Sequence, residues 1–87
     1  MMNRYSVEQA YSFFHQKWRV YSHSNDEMQR DDIEYAISSY VGSMDKGLYA
    51  WLSQGSEGWL VTHSSFSHDL QESLLKLEAC VTQYSVR

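Results

Sequence analysis

Apolar residues recur along this chain in three stripes with helical spacing, separated by one stretch that alternates. The first stripe is Val7, Ala10, Tyr11, Phe14, Trp18 and Tyr21, at steps of 3, 1, 3, 4 and 3. That is one face of an amphipathic helix, and it predicts a helix over about 7–22. Ser6 and Gln9 have the spacing of a capping box at its start. Phe13 lies off the stripe, so a large ring on the far side of this helix needs a second neighbour or a partner. The second stripe is Ile33, Ala36, Ile37, Tyr40, Val41 and Met44, within a helix predicted at about 26–45. Ser24 or Asn25 would cap it, and Gly47 would stop it just beyond its end. The last stripe is Leu70, Leu74, Leu77, Val81 and Tyr84, with steps of 4, 3, 4 and 3. It predicts a helix over about 68–84, N-capped by Ser67, with Leu75 off the stripe.

Between the second and third stripes the pattern changes. Leu48, Ala50 and Leu52 would share one face of a strand, with Tyr49 and Trp51 on the other. A second run begins at Trp59 and ends at His63. Gly55 and Gly58 flank the turn between them. This reads as a β-hairpin over about 48–63, because Gly47 interrupts the helical pattern. The expected fold is α+β, a single domain over 1–87 in the order α-α-β-β-α, with helices packed on the hairpin. The alternative carries helix through LYAWLS and gives an all-α bundle of three or four helices.

Eighty-seven residues hold one core, and a domain of that size is marginally stable. No run of about 18 apolar residues suggests a membrane span, and no apolar leader is visible near the N-terminus. The lone Cys80 excludes an internal disulfide and fits a reducing cytoplasm, the expected location. The net charge of −4 is unevenly placed. Residues 24–34, SNDEMQRDDIE, set five acids against Arg30 alone, a local charge equal to that of the whole chain. With a pI near 5.4 and no basic stripe, direct binding to a nucleic-acid backbone is not expected.

Candidate chemistry is sparse. The GSEG turn lacks the Lys-Ser/Thr pair of a phosphate loop. Asp26, Glu27, Asp31, Asp32 and Glu34 lack the alternating spacing and central glycine of a calcium loop. Cys80 sits beside the leucine stripe with no adjacent positive charge to activate it, as an inert small apolar group. His63 and His68 flank the junction before the last helix, yet linear spacing supplies no third metal ligand. No metal, cofactor or catalytic residue is therefore assigned, and no enzymatic activity is expected.

The residues point to a small protein that acts by stoichiometric binding to a protein partner. In this expectation Phe13, Tyr49, Trp51 and Trp59 are anchors, since aromatic side chains dominate interface hot spots. Asp26, Glu27, Asp31 and Asp32 steer a partner with a basic surface. A homodimer is a further possibility. By analogy of class, the design suits accessory proteins of bacterial or phage kind, such as inhibitors, adaptors, immunity or anti-defence proteins. The alternative is a small-ligand or metal-binding domain centred on His63 and His68.

Overall fold

The computed structural model describes residues 4–85, with side chains to residue 83. It contains four α-helices and, among the described residues, no strand: α1 (Arg4–Tyr21), α2 (Glu27–Ser43), α3 (Lys46–Ser53) and α4 (Phe66–Ser85). A single 3-10 turn, His63–Ser65, leads into α4. The fold is an all-helical bundle, and the α+β expectation with a hairpin over 48–63 is overturned.

The reason lies at Asp45. Its backbone leaves the helical region, and its side chain accepts a hydrogen bond from the Leu48 amide at 3.0 Å. The Asp45 carbonyl accepts from the Tyr49 amide at 2.9 Å. Met44 closes α2 in extended backbone, and Asp45 caps the next helix, satisfying donors that a helix start leaves open. Gly47, expected as a stop signal, sits inside the first turn of α3. Leu48 and Leu52 are buried one helical turn apart, whereas Ala50 is exposed. Strand alternation and helical i, i+4 spacing share the pair Leu48 and Leu52, which is why six residues fit both patterns. Replacing Asp45 with alanine is expected to lower stability by about 1 kcal/mol, read from the urea midpoint. An unchanged midpoint would show that α3 starts without this cap.

The second half of the expected hairpin is a compact run of turns. Gln54 and Gly55 take left-handed backbone, with φ of 52° and 80°, closing α3. The chain then turns through Gly58, whose carbonyl accepts from the amides of Val61 and Thr62 at 3.2 Å each. Trp59 and Leu60 enter the core as a plug, at 5% and 0% exposure. Leu60 also has a positive φ of 55°. For a bulky residue this is strained. Both of its backbone polar groups are held: the amide donates to Asp69 Oδ2 at 3.1 Å, and the carbonyl accepts from Ser38 Oγ at 3.0 Å.

The core joins Val7, Ala10, Phe14 and Tyr21 of α1 to Ile33, Ile37 and Val41 of α2, and to Phe66, Leu70, Leu74 and Leu77 of α4. Tyr21 at the end of α1 meets Phe66 at the start of α4, with ring centroids 5.6 Å apart, so the two helices run in opposite directions. The α4 N-terminus also differs from expectation. Ser67 is an exposed residue inside the helix, and Asp69 instead holds the loop, receiving the Leu60 amide and, at 3.3 Å, the Ser65 hydroxyl. The Tyr84 side chain lies outside the described residues. No helix is long and apolar enough to cross a membrane among the described residues.

Candidate functional site

Helix α2 begins at a cap and presents two surfaces to solvent. Asp26, rather than Ser24 or Asn25, is the N-cap, and its Oδ1 accepts from the Met28 amide at 3.0 Å. Ile33, Ile37 and Val41 turn α2 towards the core. At 100° per residue, Met28, Asp32 and Tyr35 then fall nearly opposite that buried stripe. Met28 and Tyr35 are each 76% exposed, seven residues apart. Between them Asp31 and Asp32 are exposed. The outer face is therefore two large apolar groups bracketing two carboxylates.

One flank of α2 meets α1 and the 57–65 segment through a polar network. Tyr21, 1% exposed, donates its hydroxyl hydrogen to Glu34 Oε2 at 2.6 Å. His63 Nδ1 stands 3.0 Å from both carboxylate oxygens of Glu34. Arg30 donates to the Tyr21 carbonyl at 2.7 Å, and its guanidinium lies 4.0 Å over the Tyr21 ring. Burial first, then the hydrogen bond and negative charge of Glu34, push the Tyr21 phenol up to about 12, against the opposing charge of Arg30. The hydrogen bond to Glu34, its charge and that of Asp31 raise His63 above its ordinary 6.5. The stabilisation this pair provides is complete below that ordinary value and is lost as pH rises through the raised one. His63 is exposed, so screening keeps it small.

Asp31 completes the cluster. One donor atom each from Asp31, Glu34 and His63 lies within 4.8 Å of the others. A cleft of about 440 Å³ opens beside them, lined by Tyr21, Glu27, Arg30, Asp31, His63, Ser64 and Ser67. His68, the other half of the expected histidine pair, is exposed and outside this cluster.

The expected aromatic anchors have mixed fates. Trp59 is buried, with its indole N–H donated to Ser73 Oγ at 2.9 Å. It supports the core and offers no surface to a partner. Tyr49 is half-buried with its ring edge-on to Trp59, centroids 5.3 Å apart. Phe13 finds its second neighbour within the chain: Tyr40 of α2, at 4.2 Å between centroids. Trp51 is half-buried against the core. Met28, Tyr35, Tyr21 and Glu34 were not singled out by sequence as site residues. The available signal was the i, i+4, i+7 spacing of Met28, Asp32 and Tyr35 off the apolar stripe.

No protein-family model, curated protein or solved structure matches this chain.

Proposed function

We propose that this protein acts by stoichiometric binding to a basic protein partner, which it engages through the outer face of α2. The observation that carries the reading is the pair Met28 and Tyr35, each 76% exposed, around Asp31 and Asp32. Large apolar side chains held in water on a rigid helix supply anchors, and the flanking carboxylates supply charge complementarity and a faster encounter. Asp26 contributes to the negative field while capping the helix, and Glu27 extends it towards the cleft. Self-association through the same face would set like charges opposite each other, so a homodimer would use another surface. The lone free thiol, Cys80, suits work in a reducing cytoplasm. Inhibitor and adaptor roles both follow from binding of this kind.

The test is capture of a partner from host lysate, followed by binding kinetics with the purified pair. A Met28→Ser, Tyr35→Ser variant, shown by its melt to be folded, should lose at least about tenfold in affinity, since anchor truncations each remove 1–2 kcal/mol or more. Asp31→Asn with Asp32→Asn should slow association and flatten its dependence on salt. Unchanged affinity in the first variant would remove α2 as the docking face.

A further inference from the structure

We propose that Asp31, Glu34 and His63 form a binding site for a divalent transition-metal ion, with zinc as the best match. The site shares Asp31 with the docking face but is otherwise built on the flank of α2 that faces the 57–65 segment, through Glu34 and His63, and no partner is needed to complete it.

The geometry is close to what an ion requires. Ligand distances of about 2.0–2.2 Å place the donors around one ion roughly 3–3.5 Å from each other. His63 Nδ1 already stands 3.0 Å from both Glu34 oxygens. Only the Asp31 carboxylate has to close in, from a set spanning at most 4.8 Å. Asp31 and His63 are exposed, so a rotamer change in either meets little resistance. Asp31 and Glu34 are three residues apart on α2, a spacing that puts both carboxylates on one side of the helix.

Glu34 is the fixed member. Its side chain is 14% exposed, and the Tyr21 hydroxyl holds Oε2 at 2.6 Å. Hydrogen bonds of this kind orient a ligating carboxylate and are part of a metal site's affinity. Arg30, the cation beside the cleft, is directed to the Tyr21 carbonyl and ring, and two carboxylates balance a divalent ion. The cleft leaves space for water in the remaining coordination positions, and Glu27 at its wall adds negative potential. One imidazole with two carboxylates is a mixed nitrogen and oxygen set. It favours zinc and its transition-metal neighbours over calcium or magnesium, which take oxygen ligands. Such an ion would tie the 57–65 segment to α2 across 29 residues of chain.

The experiment is calorimetric titration of the untagged full chain with zinc chloride in metal-free buffer, with magnesium chloride alongside. Expected are one-to-one saturable binding of zinc, no saturable heat with magnesium, and a higher melting temperature with zinc. His63→Gln and Asp31→Asn change exposed side chains and should each weaken zinc by about tenfold or more. His68→Gln should leave the affinity unchanged. Cobalt substitution should give a visible absorption band that His63→Gln removes. The proposal is overturned if the wild-type chain shows no saturable zinc heat, or if His63→Gln and Asp31→Asn bind zinc as wild type does.

Discussion

Replacing Trp59 with alanine is expected to destabilise the domain by about 3–5 kcal/mol. Small domains hold on the order of 5–15 kcal/mol in total, so the loss removes much of the folded population on mild heating. Two terms combine. The indole is 5% exposed, and its removal leaves a cavity among α3, α4 and the loop. Its N–H also serves the hydroxyl of Ser73, which is 1% exposed. Trp59→Phe separates the two. It retains much of the volume but strands that hydroxyl, and should lower stability by about 1–3 kcal/mol. Adding Ser73→Ala to Trp59→Phe should recover part of the loss, since removing both polar partners is nearer neutral than removing one. Urea unfolding followed by circular dichroism measures all three. A Trp59→Ala protein that melts like wild type would mean that the 54–62 segment does not plug the core.

That prediction rests on a residue whose sequence context points elsewhere. Val7, Ala10 and Phe14, and likewise Leu70, Leu74 and Leu77, announce helices because burial on one side repeats every three or four residues, and each stripe faces one continuous core. The run from Leu48 to His63 has no such redundancy. Its alternation is six residues long, and the residue that decides for helix, Asp45, precedes it. Trp59 and Val61 also alternate with Leu60, yet Leu60 is the most buried of the three and Val61 is 64% exposed. What inverts the pattern is left-handed backbone at Leu60, held by Ser38, 22 residues before it, and by Asp69, nine after it. Local pattern carries no trace of partners so distant. The candidate metal cluster was hidden for the same reason. Spacing near His63 shows only His68, whereas the fold supplies Asp31 and Glu34 from another helix. The acidic segment itself was visible as a run of charge; its division into a cap (Asp26), an outer face (Asp31, Asp32) and a network member (Glu34) needed the helix phase.

The other large effect concerns alkaline pH. With its phenol raised from 10 to about 12, Tyr21 favours the folded state wherever the phenol stays protonated. Its contribution is complete below pH 10, falls as the unfolded chain begins to ionise there, and is gone above about pH 12. Two pH units correspond to roughly 2–3 kcal/mol, for a side chain 1% exposed. Tyr40, which burial also raises, contributes to the decline above pH 10 in the same sense. Tyr21→Phe tests the assignment in two places. At pH 8 the variant loses a hydrogen bond to a charged carboxylate and should be less stable by about 1.5–3 kcal/mol. Between pH 10 and 12 it should decline less than wild type, because it has no phenol to ionise, so the two stability curves converge. Urea midpoints at pH 8, 10, 11 and 12 give both comparisons. Parallel curves would show that the folded state does not hold the Tyr21 phenol protonated above pH 10. Convergence would establish that the folded state keeps this phenol protonated above pH 10, and the difference at pH 8 reads the hydrogen bond that its hydroxyl donates to Glu34.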